Sequence, residues 1–128
     1  NAIQINAFLS NLKQVDKIYW PGRKDHKNYD VAKKQMKYFG GMLSFTLKND
    51  SFNDALTIIT NTKLFKLAES LGGVESLISH PASMTHASIP PREQKKNNLS
   101  QSLIRLSIGI EDAEDLINDL KQAFSKIN

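Results

Sequence analysis

Apolar residues recur along this chain with two different periods, which together predict a mixture of helices and strands. Within residues 1–13, apolar side chains follow the i, i+3, i+4, i+7 spacing of one helix face. The segment VDKIYW at 15–20 is rich in β-branched and aromatic residues and stops at a Pro-Gly pair, so it predicts a strand and a turn. Residues 30–37 predict a short basic helix that is ended by the glycines at 40–41.

The clearest alternation lies in MLSFTLK, residues 42–48, where apolar and polar side chains take turns. This pattern predicts a strand with one buried face. Ser51 follows, with Asp54 three residues later, and the pair predicts a helix N-terminus. The apolar stripe expected for this helix is Phe52, Ala55, Leu56 and Ile59.

The second half of the chain adds further strand candidates and one strong helix. Residues 64–68 and 75–80 predict short strands, and the Pro-rich, aperiodic residues 81–98 predict a loop. SLIRLSIGI at 102–110 alternates over its whole length and is the strongest strand candidate. The last helix opens with EDAED at 111–115, whose acidic side chains suit a helix N-terminus.

This order of elements predicts one α+β domain over residues 1–128. The expected architecture is a two-layer sandwich, in which a mostly antiparallel sheet of about four strands carries helices packed on one face. The least ordered parts are expected at 69–74 and 81–98, where no period is present.

Composition narrows the class of protein. The chain has 128 residues, of which 40% are hydrophobic, and no apolar run approaches the roughly 20 residues that a membrane-spanning helix needs. No signal peptide is visible, and the first residue, Asn1, suggests a processed or excised segment. Cysteine is absent, which excludes disulfides and favours a reducing, cytoplasmic compartment.

The charge leaves two interpretations open. The net charge is +4, and much of the excess lies in residues 22–37. Such a cluster is typical either of a solvated surface or of a nucleic-acid-binding surface, and an independent RNA-binding module is therefore an alternative class of function. The cluster lacks the interleaved aromatic residues of single-strand binders, so we expect no nucleic-acid partner.

Arg105 occupies an informative position in the last predicted strand. The apolar side chains at 104, 106, 108 and 110 alternate onto one face, which must be the core face. Arg105 therefore points to the opposite face, beside the small residues Ser107 and Gly109. A guanidinium there can bind a carboxylate or phosphate with two parallel hydrogen bonds; alternatively it pairs with an acidic neighbour or meets solvent.

The segment ESLGGVESLISHPASMTH, residues 69–86, contains the other candidate groups. Its glycine pair predicts a tight turn, or backbone N–H groups close to an anion. Glu69 and Glu75 flank that turn and are interpreted mainly as surface charge. His80 and His86 do not have the spacing of a metal-ligand pair, so no metal site is predicted, and Thr85 is interpreted as a hydrogen-bonding loop residue.

Five segments resemble one known family over nearly the whole chain. The segments are NAxxxxxFL (1–9), YWPGxxxHxxYxxAKKQM (19–36), FGGMLSF (39–45), AESLGGVESLISHPASMTHASIP (68–90) and LIRLSIGIEDAEDLINDL (103–120). They resemble the Cys/Met-metabolism family of pyridoxal-phosphate (PLP) enzymes, and the resemblance is closest to cystathionine γ-synthase and cystathionine γ-lyase.

The resemblance implies a partial enzyme. It implies the small C-terminal domain of a fold-type I PLP enzyme, with residues 1–13 as the helix that links it to a PLP-binding large domain. The family's cofactor lysine belongs to that large domain, and no lysine here has its sequence context, so the segment alone is expected to be inactive. The intact parent is expected to be a cytoplasmic homotetramer that catalyses a trans-sulfuration reaction. Cystathionine β-lyase and methionine γ-lyase are the alternatives.

The same resemblance implies roles for four residues. Arg105 matches the arginine that holds the α-carboxylate of a small amino-acid substrate. Ser70 matches a serine at the active-site wall, and Thr85 matches a loop threonine near the carboxylate. Glu69 matches a position that differs among subfamilies, where an acidic residue is typical of the γ-synthase and γ-lyase group and could select substrates.

Overall fold

The computed structural model of the protein describes residues 1–84, 88–90, 92–93 and 99–127. Its helices are α1 (Ala2–Ser10), α2 (Tyr29–Gln35), α3 (Phe52–Asn61) and α4 (Ala113–Phe124). Its strands are β1 (Val15–Tyr19), β2 (Met42–Leu47), β3 (Lys66–Leu67), β4 (Leu77–Ser79) and β5 (Ile104–Ser107). None of the helices in these ranges has the length and apolar character needed to cross a lipid bilayer.

The strands form one five-stranded sheet in the order β1-β2-β5-β4-β3. Every neighbouring pair is antiparallel except β3 and β4, which run parallel. The predicted α+β fold with a mostly antiparallel sheet is confirmed. The strand count exceeds the expected four because the predicted strand at 64–68 contributes a two-residue edge strand.

The core lies between one face of the sheet and three of the helices. The sheet contributes alternate residues of its three inner strands, and the helices contribute their apolar stripes. Residues buried in this cluster include Ile5, Leu9, Leu43, Phe45, Ile58, Ile78, Ile104, Leu106, Leu116 and Leu120. The cap predicted for α3 is also confirmed, since the Ser51 hydroxyl accepts a hydrogen bond from the Asp54 N–H.

Three predictions about faces are wrong. Ile110 is 80% exposed, because β5 ends at Ser107 and the chain leaves the sheet before it reaches residue 110. Phe52 is 38% exposed and packs edge-on against the His80 ring, outside the core cluster. Thr46, expected on a solvated face, is buried.

A buried carboxylate joins α4 to the segment that leads into β3. Asp119 is 5% exposed, and its oxygens accept hydrogen bonds from the backbone N–H groups of Lys63 (2.7 Å), Leu64 (2.8 Å) and Phe65 (3.0 Å). A carboxylate has two acceptor oxygens, so it can satisfy several donors at once. Asp119 therefore fixes the chain where it turns from α3 toward the sheet.

Replacing Asp119 by Asn should destabilise the fold by about 3 kcal/mol, because an amide N–H₂ would face backbone donors that have lost their acceptor. Chemical denaturation of the purified chain measures this loss. Asn118→Ala, at an exposed position on the same helix, is the control and should change the free energy of unfolding by less than about 0.5 kcal/mol. Equal stabilities of the Asp119→Asn variant and the wild type would contradict the anchoring role.

Candidate functional site

Arg105 lies on β5, the central strand, and faces away from the core. Its neighbours in register are Ser44 on β2 and Ser79 on β4, so the three polar residues form a row across one face of the sheet. The flanking residues Ile104 and Leu106 are completely buried on the other face. The predicted orientation of Arg105 relative to the core follows from this alternation.

The guanidinium of Arg105 contacts backbone carbonyls. Its Nη2 donates to the carbonyl oxygen of Glu69 at 2.7 Å and to that of Ser70 at 3.3 Å. Among the described residues no carboxylate lies within ion-pair distance of Arg105, and its Nε and Nη1 donors have no partner there. The site as described is thus a cation that is oriented by carbonyls and keeps open donors for an anion.

The turn formed by residues 69–75 presents its carbonyls to Arg105. Gly72 adopts a positive φ of 78°, a conformation that glycine tolerates best. Its N–H donates to the Ser107 hydroxyl at 2.7 Å, so this N–H is already paired within the protein. Of the two interpretations of the glycine pair, the structure favours the tight turn.

A second group of hydrogen bonds holds the end of this turn. The Glu111 carboxylate accepts from the Ser76 N–H at 2.6 Å and from the Ser76 hydroxyl at 2.8 Å. The Ser76 oxygen accepts in turn from the Gly109 N–H at 2.9 Å. A Cβ on Gly109 would collide with the Val74 carbonyl oxygen, so only glycine permits this approach.

The start of α1 is tied to the same place. The Asn1 side-chain amide donates to the Gly109 carbonyl at 3.0 Å and to the Glu111 carbonyl at 2.7 Å. The segment after β5 therefore contacts both the turn that faces Arg105 and the first residue of the chain. The sequence did not indicate that Ser76, Ser107, Glu111 and Asn1 support this turn, because their partners are distant in sequence.

The contacts of Glu111 determine its charge. Partial burial alone would raise the pKa of this carboxyl, but hydrogen bonds from the Ser76 N–H, from the backbone N–H of Glu111 itself and from the Ser76 hydroxyl outweigh that effect and lower the pKa below its ordinary value of 4.5. Glu111 is therefore ionised at neutral pH, and its ionised form is the one that holds Ser76.

The other residues predicted from the sequence lie in different surroundings. The side chains of Glu69, Ser70 and Glu75 are exposed. His80 is fully buried: its Nε2 donates to the Gln101 carbonyl and its Nδ1 bonds the Ser83 hydroxyl, both at 2.8 Å, so its ring has a structural role. Thr85 and His86 lie outside the described residues.

The basic segment at 22–37 is partly neutralised by its own contacts. Arg23 pairs with Asp25 at 2.8 Å and also donates to side chains of α1, Asn6 and Ser10. The guanidinium in this segment therefore fastens a turn to a helix, which supports the interpretation as a structured protein surface.

The chemistry available around Arg105 is anion binding. A guanidinium with open donors suits a carboxylate or a phosphate. The groups that contact Arg105 or hold the turn are carbonyls, hydroxyls, amides and one carboxylate, with no lysine among those described. These residues can hold and orient an acid, but they offer no amine for covalent chemistry with a carbonyl compound.

Comparison with known proteins matches the chain to a family. The profile of the family described as "Cys/Met metabolism PLP-dependent enzyme" matches residues 1–125. Cystathionine β-lyase from Coxiella burnetii is 50% identical over 123 residues, which cover 96% of this chain and 32% of that protein. The chain thus spans about a third of the length of this relative.

Two solved structures share the fold. Cystathionine γ-lyase from Lactobacillus plantarum, complexed with L-serine, superposes with a TM-score of 0.91 at 41% identity, over 98% of this chain and 32% of that one. Cystathionine γ-synthase from Xanthomonas oryzae pv. oryzae, in complex with aminoacrylate and cysteine, gives a TM-score of 0.89 at 43% identity, with the same coverage of both chains.

The lowered pKa of Glu111 predicts how its contribution to stability varies with pH. Glu111→Gln should destabilise the chain by about 1–2 kcal/mol at neutral pH, because a hydrogen bond to a charged group is lost. The wild-type advantage is complete above the ordinary pKa of 4.5 and disappears as the pH falls through the lowered value. Unfolding free energies measured from about pH 7 to pH 3 should therefore converge.

Glu75→Gln, at an exposed position of the same turn, is the control. At neutral pH its free energy of unfolding should stay within about 0.5 kcal/mol of the wild-type value. A gap between the wild type and the Glu111→Gln variant that widens toward acid would contradict the inferred contact.

Proposed function

The chain belongs to the Cys/Met metabolism PLP-dependent enzyme family, and from this premise we propose that it is the C-terminal substrate-binding domain of a trans-sulfuration enzyme. The parent would act on sulfur amino acids as a carbon–sulfur lyase or transferase of the cystathionine γ-synthase or γ-lyase type. The observation that carries the proposal is Arg105, a half-buried cation on a rigid strand with open donors and no acidic partner among the described residues.

Arg105 would bind the α-carboxylate of the amino-acid substrate. Both bidentate arrangements of a guanidinium, side-on and end-on, use Nη2. This atom donates to Glu69 at 2.7 Å and, more weakly, to Ser70 at 3.3 Å. An incoming carboxylate would replace the longer bond to Ser70, while the shorter bond to Glu69 keeps the guanidinium plane in position.

The turn would form one wall of the substrate site. Ser70 would face the substrate, the Glu69 side chain would select among sulfur amino acids, and Thr85 would act near the carboxylate. Relatives of this chain include cystathionine β-lyases, cystathionine γ-lyases and methionine γ-lyases, so a β-lyase or methionine γ-lyase parent is the alternative. The bound amino acids named for the two solved structures, L-serine and cysteine, agree with an amino-acid ligand.

The cofactor would belong to another part of the parent. PLP, when bound, supplies an electron sink for bond breaking next to the amino-acid Cα. The described residues around Arg105 fit the acid end of a substrate but provide no lysine for that cofactor. We infer that the lysine and the phosphate-binding groups lie in the N-terminal domain of a parent about three times as long. A cytoplasmic homotetramer remains the expected state of the parent.

An exposed apolar groove is the surface that the N-terminal domain would cover. The groove, of about 590 Å³, lies beside the first residues of α1 and is lined by Ile3, Tyr38 and Ile110. These side chains are 69%, 76% and 80% exposed, which is unusual for clustered apolar residues. Docking of the remaining chain would bury them.

Replacing Arg105 by Ala in the parent enzyme should raise KM for the amino-acid substrate about 100-fold. Charge-assisted hydrogen bonds contribute about 1.5–3 kcal/mol, and a factor of ten corresponds to about 1.4 kcal/mol. Steady-state kinetics measure the change. Arg105→Lys should recover only part of the loss, since an ammonium lacks the planar fork.

The matched control for this variant is Arg23→Ala, which removes a guanidinium that contacts α1 and Asp25. KM should stay within about twofold of the wild type, because Arg23 is not part of the site. An unchanged KM in the Arg105→Ala enzyme would refute the proposed carboxylate contact.

The groove predicts self-association of the 128-residue chain when it is produced alone. Ile110→Lys should shift it toward monomer in sedimentation velocity, because a charge in the patch is costly to bury. Val31→Lys is the control: Val31 is 52% exposed on α2 and does not line the groove. Equal association of wild type and both variants would argue against this surface.

A further inference from the structure

The turn opposite Arg105 has little apolar packing of its own. Every residue from 69 to 75 is exposed, including Leu71 at 54% and Val74 at 71%. A segment without buried side chains opens easily unless hydrogen bonds hold it. The position of the Glu69 and Ser70 carbonyls must therefore be set by the polar contacts at the ends of the turn.

Those contacts all lead to one segment that follows Arg105. Gly72 is held by Ser107, the Ile110 N–H donates to the Val74 carbonyl at 3.0 Å, and the final contact joins Ser76 to Glu111. Ser76 is completely buried, so its position is well defined. The Glu111–Ser76 pair holds the turn by two hydrogen bonds to a carboxylate, which are stronger than bonds between neutral groups.

We propose that Glu111 and Ser76 are positioning residues of the substrate site. They hold the 69–75 turn against the end of β5, so that the Glu69 carbonyl keeps the Arg105 guanidinium aimed at the substrate carboxylate. This inference rests on the function proposed above and adds two residues that touch neither substrate nor cofactor.

The carboxylate and the hydroxyl of the pair complement each other. Ser76 presents an N–H and an O–H to the two oxygens of Glu111, while its own oxygen accepts from Gly109. Glutamine is neutral and has one acceptor oxygen, and its N–H₂ would donate to that hydroxyl, whose own proton would then lose its acceptor. Glu111→Gln therefore removes the charge from both bonds, and Ser76→Ala removes the bonds of the hydroxyl to Glu111 and Gly109, so each should loosen the same end of the turn.

The decisive experiment compares kinetics of variants in the parent holoenzyme with the sulfur amino acid as substrate. Glu111→Gln and Ser76→Ala should each raise KM about 10-fold, because a small displacement of a positioning contact is costly. They should change kcat by less than about twofold, since neither residue takes part in the chemical step. The increases in KM should be less than multiplicative in the double variant, because both substitutions affect the bond between the Glu111 carboxylate and the Ser76 hydroxyl.

Asp112→Ala separates positioning from a general loss of stability. Asp112 is the neighbour of Glu111, and its carboxylate caps α4 by accepting from the Glu114 and Asp115 N–H groups. Removing this helix cap should lower the free energy of unfolding, while KM stays at the wild-type value. A KM raised as much by Asp112→Ala as by Glu111→Gln would overturn the proposal.

Variants made in an Arg105→Ala enzyme distinguish the positioning role of Glu111 and Ser76 from the proposed carboxylate contact of Arg105. In an Arg105→Ala enzyme, Glu111→Gln should add no further increase in KM, because the group that it orients is gone. If Arg105→Ala raises KM and both Glu111→Gln and Ser76→Ala do not, the positioning role is refuted and the carboxylate site stands. If Arg105→Ala itself leaves KM unchanged, both proposals fall.

Discussion

The alternation of side chains along β5 is the constraint on which the candidate site depends. Ile104 and Leu106 are completely buried in the core, so the residue between them must face the other side of the sheet. A slip of one residue would place a guanidinium in the apolar core, at a cost far above that of one lost hydrogen bond. Pairing with β2 and β4 on both sides fixes this register.

The strand β5 and the residues that follow it hold both the cation and the exposed turn that faces it. Arg105 and Ser107 belong to β5, and Gly109 and Glu111 follow directly, so the cation and the anchors of the facing turn come from seven consecutive residues. The turn has no core of its own, and its geometry depends on β5. This arrangement lets a solvent-exposed segment keep a defined position without burying apolar surface.

Sequence periodicity predicted the features that depend on local pattern, namely strands, helix caps and the face on which a side chain lies. The strand at β2, the cap at Ser51 and the outward face of Arg105 follow from spacing alone, and the glycine pair at 72–73 indicated the tight turn. Contacts between distant residues could not be predicted in this way. Asp119 reaches donors more than fifty residues away, and an acidic residue on a helix is ordinarily a solvated one. Ile110 continued the alternation after the strand itself had ended.

The nature of the groups that orient Arg105 affects what the site can bind. A carboxylate partner would hold a guanidinium firmly, but it would also neutralise the charge and compete with an acidic ligand. Backbone carbonyls carry only partial charge, so they orient the group and leave its positive charge available. Binding of an acidic ligand is therefore favoured when the Glu111 carboxylate bonds Ser76 and not Arg105. The Glu111 carboxylate then stabilises the turn, while the Arg105 guanidinium keeps its charge available for a ligand.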